Sequence, residues 1–196
     1  MQPSFDSNIH HIADQLKFRA SLFAYFMINK KCVSDNTWIY FSEKKYIFRR
    51  IYEQRNYSQY TVSPGKTALC LEISCNENDN VWCRQDDKLF KDILDDLTGL
   101  NLLKENELYD FKIMRIKDTY PVYSLYYKEK LNSLLSHISK IENLISNGRQ
   151  GLFNYNNMDH SIHMGFLAGQ YVASCKESQD GWQNIIKTFD AYKLID

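Results

Sequence analysis

From Leu16 to Ile28 every even position is apolar (Leu16, Phe18, Ala20, Leu22, Ala24, Phe26, Ile28), while Lys17, Arg19 and Ser21 fall on the other side. A period of two over this length predicts a strand with one buried face. "NTWIYFS" and "KYIFRRIYEQRN" predict two further strands joined by a polar turn around Glu43–Lys45, and Pro64-Gly65 marks the next turn. "KTALCLEISC" follows as a strand with Leu69, Leu71 and Ile73 on one face.

The period then changes. Asp86-Asp87 opens a helix whose apolar stripe is Leu89, Phe90, Ile93, Leu94 and Leu97, and Gly99 ends it. "ELYDFKIMRIKDTY" returns to strand, and Pro121 holds Tyr120 extended. A second helix is expected from Tyr127 to Asn143, carrying Leu131, Leu134, Leu135, Ile138 and Ile141. A short strand "NLISNG" comes next, then a helix from about Asp159 to Cys175. A last amphipathic helix begins at Asp180-Gly181 and carries Trp182, Ile185, Ile186 and Phe189.

Strands cluster early and helices late, which predicts an α+β fold: a largely antiparallel sheet flanked by helices. The 196 residues are expected to form a single domain, with the sheet and its helices at 16–145, a distinct segment and helix at 146–175 and a terminal helix at 176–196.

Composition narrows the function classes. Lysine plus arginine equals aspartate plus glutamate, 24 each, so no global field draws the chain to nucleic acid or an anionic membrane. The five cysteines (Cys32, Cys70, Cys75, Cys83, Cys175) form no Cys-x-x-Cys and are expected as reduced thiols in a cytoplasmic protein. The apolar run "ASLFAYFMI" is far too short to span a bilayer. Fourteen tyrosines and eleven phenylalanines suit a sheet with aromatic faces or a pocket for a flat ligand.

One stretch differs from the rest: "SNGRQGLFNYNNMDHSIHMGFLAG", residues 146–169. Its His160-x-x-His163 pair could serve zinc, but a site needs a third ligand, and neither His10-His11 nor His137 has ligand spacing. A phosphate cradle needs glycines immediately before a helix; Gly148 and Gly151 lie well before it, and the Asp159 carboxylate would repel an anion. The third option is a neutral, electron-rich group at the helix N-terminus, such as a flavin's N1–C2=O edge. Gly165, Ala168 and Gly169 would then let the helix pack close to a neighbour.

"GRQGLFNYNNMDHSIHMG" resembles the C-terminal flavin-contacting motif of the FAD-dependent amine-oxidase superfamily, in the branch of UDP-galactopyranose mutase-like and protoporphyrinogen-oxidase-like proteins. "FRRIYEQRNYS" looks like that family's Arg-x-x-Glu strand, "WIYF" like the strand before it, and "TYPVYSLYY" like its Pro-x-Tyr segment. These elements occur in the family's order over residues 16–175. Family members open with a strand and a G-x-G-x-x-G turn for the ADP half of FAD, and this sequence has neither.

The resemblance implies the substrate-binding and flavin-closing portion of an FAD-dependent oxidoreductase or mutase, inactive without a dinucleotide-binding domain or separate chain that supplies G-x-G-x-x-G. FAD is the implied cofactor and a small molecule the implied substrate. Gly148, Arg149, Asn157, Met158, Asp159, His160, Ser161 and Ile162 are expected near the flavin, with Asn157 or Asp159 as helix cap. Arg50 matches the arginine on the substrate side, and Tyr120, Tyr123, Phe153 and Tyr155 are candidate pocket walls. Phe153 departs from the mutases, which place a tyrosine there. Two alternatives stand beside this reading: a non-catalytic relic or binding module of the same fold, and a small zinc protein using His160 and His163.

Overall fold

The computed structural model describes residues 7–174 and 179–193. The chain divides into two compact units, one formed by Arg19–Thr119 and the other by the residues up to Phe18 together with those from Tyr120 onward.

The Arg19–Thr119 unit is organised by a five-stranded antiparallel sheet in the order β2-β3-β4-β1-β5. Its strands are β1 (Phe18–Ile28), β2 (Trp38–Tyr40), β3 (Arg50–Glu53), β4 (Thr67–Cys75) and β5 (Leu108–Pro121). The alternation in β1 is realised as read: Ala20, Leu22, Ala24, Phe26 and Ile28 are all buried. They lie opposite Cys75, Ile73, Leu71, Leu69 and Thr67 of β4, so the register stacks apolar side chains in rows across the inner face. Helix α3 (Asp86–Gly99), whose first turn holds Asp86 and Asp87, covers that face with Leu89, Ile93, Leu94 and Leu97. At about 1.5–3 kcal/mol for each fully buried aliphatic side chain, this helix face contributes on the order of 6–12 kcal/mol before entropy is charged against it.

Strand β3 is shorter than "KYIFRRIYEQRN" suggested. It ends at Glu53, and Gln54–Tyr57 turns into a short helix, α2. The Glu53 carboxylate, buried in the core, accepts from the backbone N–H of Val33 and Ser34 at 2.8 Å each and from the Thr67 hydroxyl at 2.7 Å. Asn56 Nδ2 donates to the carbonyls of Ser34 and Asn36 at 2.9 and 2.8 Å. These side chains fasten the 29–37 loop and draw the backbone out of the ladder.

The second unit is helical: α1 (Ser7–Ala13), α4 (Tyr127–Ile138), α5 (Gly148–Gly151), α6 (Met158–Ala173) and α7 (Gln179–Thr188). Its core is Leu135, Leu152, Met164, Tyr171, Trp182 and Phe189. Helix α1 was not anticipated. Helix α4 stops five residues before the expected Asn143, where Ser139 caps it and its hydroxyl donates to the Ser136 carbonyl at 2.9 Å. The expected "NLISNG" strand is not formed, because no strand pairs with it; the Ser146 carbonyl accepts from Trp182 Nε1 at 3.1 Å instead. Cys175, the expected end of the penultimate helix, lies outside the described residues.

Candidate functional site

The segment between α4 and α6 is held by a chain of side-chain bonds. Gly148 adopts φ +76°, which glycine takes without strain. At Gly151 a Cβ would fall 2.8 Å from Ser146 Oγ, which donates to the Gly151 carbonyl at 2.6 Å. Between these glycines Arg149 lies over the rings of Tyr120 and Tyr155, 5.1 and 5.3 Å from their centroids. Its guanidinium donates to the backbone carbonyl of Asn156 and, at 3.4 Å, to Asn156 Oδ1.

Asn156 is fully buried. Its Oδ1 also accepts from Ser161 Oγ at 3.1 Å, and its Nδ2 meets Met164 Sδ at 3.3 Å. The sequence reading passed over this residue, since nothing in a run of asparagines tells which one is buried. Next to it, Asn147 Nδ2 donates to the Met164 carbonyl at 3.2 Å, while Asn147 Oδ1 is buried with no donor.

Helix α6 starts at Met158, with Asn157 as its cap; Asn157 and His160 form a reciprocal capping box in which the Asn157 N–H donates to His160 Nδ1 at 3.3 Å. The Ser161 N–H is used inside the helix, on the Asn157 carbonyl at 3.1 Å. Among the described residues the amides of Met158 and Asp159 meet no acceptor, and helix geometry gives them none within the first turn. The Asp159 carboxylate is largely exposed and lies 3.7 Å from His160 Nε2.

Helix α6 is apolar on two sides. Met164, Leu167, Ala168 and Tyr171 pack into the unit's core. Met158, Ile162, Phe166 and Val172 are 79%, 68%, 62% and 63% exposed, and Gly165 and Gly169 among them have open space where a Cβ would stand. A helix apolar all round is ordinarily buried all round.

The expected pocket tyrosines gather in this same unit. Tyr120 and Tyr155 stack at 5.5 Å, and the Tyr155 N–H donates to the Tyr123 hydroxyl at 2.6 Å. Burial pushes the Tyr123 pKa up despite that bond. Phe153 is buried, meets Phe18 edge-on at 4.8 Å and holds φ +47°, a strained value for an aromatic residue.

Arg50 belongs to the sheet unit. It sits opposite Glu72 in the β3–β4 register and binds it through Nε at 3.1 Å and Nη2 at 2.6 Å. Nη1 donates to the Tyr40 hydroxyl at 3.0 Å, and the guanidinium lies 4.5 Å over the Tyr52 ring. Burial works against its charge, but the hydrogen bond and negative charge of Glu72 prevail and raise its pKa. The same Glu72 oxygen accepts from the Tyr52 hydroxyl at 2.6 Å. Glu72, Tyr40 and Tyr52 were not singled out from the sequence. The register and alternation of β2, β3 and β4 hold the signal, because Tyr40 and Glu72 lie opposite Arg50 and Tyr52 follows it at a step of two.

His160 and His163 are both occupied by Tyr192: the His160 ring stacks on it at 4.4 Å, and His163 Nδ1 lies 2.7 Å from its hydroxyl. Among the described residues no group of three or more potential metal ligands exists. Likewise no helix among them is long and apolar enough to cross a membrane.

No protein-family model and no curated protein matches the sequence. Solved structures do match in fold. The structure of reduced UDP-galactopyranose mutase aligns over 86% of this chain with a TM-score of 0.71 and 24% identity. A protein described as a protoporphyrinogen oxidase, from Exiguobacterium sp. 255-15, aligns over 65% with a TM-score of 0.53 and 15% identity. The chain spans only 37% of the mutase and 28% of the oxidase. At these identities the likeness is one of fold, and it is the α+β fold expected from the sequence.

Proposed function

We propose that this chain is the substrate-domain and flavin-closing portion of an FAD-dependent oxidoreductase or mutase of the amine-oxidase superfamily. A dinucleotide-binding unit carrying G-x-G-x-x-G, on a further domain or a separate chain, would complete it. The observation that carries the reading is α6, whose first turn offers free amides and whose outer face is apolar and uncovered.

The residues present fit a flavin edge. Two unpartnered amides, at Met158 and Asp159, lie at the positive end of a helix of 16 residues. Open space beside Gly148 and the orphaned acceptor Asn147 Oδ1 adjoin the same segment. Gly148, Arg149 and Asn157 to Ile162 are the proposed cofactor side, and Tyr120, Tyr123, Phe153 and Tyr155 the proposed pocket walls. Arg149, clamped by Asn156, supplies a fixed cation there, and the Asn157–His160 capping box fixes the start of the helix. FAD, when bound, supplies the redox or covalent chemistry.

On the substrate side, Arg50 holds an anionic group of a small molecule. Glu72 and Tyr40 fix its guanidinium, and one N–H on each of Nη1 and Nη2 stays available for a bidentate contact. Glu72 also matches the charge of Arg50, and that observation favours the second reading, a binding module of this fold without catalysis.

Met158→Pro separates the two. Proline is well tolerated at the first helical position, and Asn157 is already extended, as a residue before proline must be. The substitution therefore removes one free amide while sparing the helix. In the completed protein, Met158→Pro should lower FAD retention at least tenfold, judged by flavin absorbance after gel filtration, whereas Met158→Ala should change it little. Equal retention by both variants would refute the assignment of these amides.

A further inference from the structure

The helical unit also contains a cleft between α4, the 152–154 segment and α7. It shares Tyr123 and Phe153 with the residues above but is lined by neither Arg149, Tyr155 nor the start of α6. Leu131, Leu135, Leu152, Phe153, Ile186 and Phe189 form the apolar part of its lining. Its interior space is about 180 Å³, somewhat more than the roughly 150 Å³ of an apolar cavity that takes up benzene. A body the size of one ring fits.

The mouth is polar and unevenly charged. Lys128 of α4 and Lys187 of α7 line it, against the single carboxylate of Asp190. Among the described residues neither lysine forms an ion pair, and Lys187 has only a loose 3.4 Å bond to Asn184 Oδ1. Asp190 raises the pKa of Tyr127, after burial, so the start of α4 and the end of α7 share one end of the cleft. Lys128 follows Tyr127 and Lys187 lies three residues before Asp190, and Asn132 and Gln183 add amides to the lining.

From this arrangement we propose that the cleft is a binding site for a small carboxylate with an apolar, ring-sized body. The body lies on the Leu131–Phe153–Ile186 floor, and the carboxylate meets Lys128 and Lys187 at the mouth. Two unpaired cations facing one anion select a negative group, and the apolar floor leaves no partner for a second charge. The site is independent of flavin and of the outer face of α6.

The test is ¹⁹F NMR titration of the purified chain with 4-fluorobenzoate and, separately, with the neutral 4-fluorobenzyl alcohol. The carboxylate should bind at least tenfold tighter than the alcohol. Lys187→Glu and Lys128→Glu, both at exposed positions, should each weaken it tenfold or more, and Asp190→Asn should strengthen it. Leu131→Trp, which fills the floor, should abolish binding; if that variant does not fold, the lysine variants still decide. Phe166→Ser on α6 should leave the titration unchanged. Equal binding of acid and alcohol, indifference to both lysine reversals, or loss of binding in Phe166→Ser would each overturn the proposal.

Discussion

The two units differ in how completely they satisfy themselves. In the sheet unit the apolar rows of β1 and β4 are closed by α3, and the buried Glu53 carboxylate has three donors. In the helical unit the core closes on one side of α6 only, and four large apolar side chains of that helix remain in solvent. The difference teaches that a helix's composition can carry more apolar surface than its own unit buries. The α3 sequence is amphipathic and its helix has one buried face. The α6 sequence is apolar on both sides, and one of those sides is uncovered here.

The largest effect should separate the two helices. Ile93→Ala in α3 removes a fully buried side chain and should cost about 2–5 kcal/mol in denaturant unfolding. Phe166→Ser on the open face of α6 should change the stability of the isolated chain by no more than about 0.5 kcal/mol. Equal costs at the two positions would mean that the α6 face is covered in solution, and the contrast would fail.

Buried polar clamps come next, one in each unit. Asn156→Ala removes the Oδ1 acceptor that Arg149 and the Ser161 hydroxyl share, and Glu53→Ala strands two backbone amides and Thr67. Each should lose about 1–3 kcal/mol. Asn156→Ala should additionally raise amide hydrogen exchange in the first turn of α6, while Glu53→Ala leaves that turn unchanged.

A smaller effect is a pH dependence confined to the sheet unit. Burial pushes the Asp79 carboxyl upward, but amides of Asn76, Trp82 and Val81 and the charge of Arg19 outweigh it, leaving its pKa lowered. A lowered folded pKa gives stability that is present above the unfolded value and lost as pH falls through the folded one. Asp79→Asn should therefore destabilise at neutral pH, and its deficit should vanish in acid. A deficit that persists at low pH would show that packing, not charge, is involved.

The smallest concerns thiols. Burial raises Cys70 and Cys75 to about 11, whereas Cys83 is exposed. In a Cys175→Ser background, Cys83 should react first with a thiol reagent at pH 8, and Cys83→Ser should remove that first phase. A fast phase surviving in a Cys32→Ser, Cys83→Ser double variant would show that the sheet unit opens.

Much of this was legible along the chain where a local rule acts alone. The alternation of β1 gave its buried face, the acidic pair and Gly99 bounded α3, and asparagine cap chemistry placed the start of α6 within one residue. The rest depends on partners distant in sequence. Glu53 draws its donors from the 29–37 loop and Thr67, Asn156 is buried through Arg149 and Met164, and Glu72 meets Arg50 only because β3 pairs with β4. "NLISNG" has strand composition but no strand to pair with, and β propensity without a partner makes no sheet.

The central claim is that this chain closes a flavin site whose nucleotide half lies elsewhere. It is tested most directly by purifying the tagged chain both from a foreign host and from cells that naturally make it, and comparing absorption spectra after gel filtration. The account predicts a colourless protein from the foreign host. From the native cells it predicts a yellow complex containing a G-x-G-x-x-G sequence, with the outer face of α6 protected from hydrogen exchange. Stoichiometric FAD on the chain alone, or a colourless native protein with an unprotected α6, would contradict it.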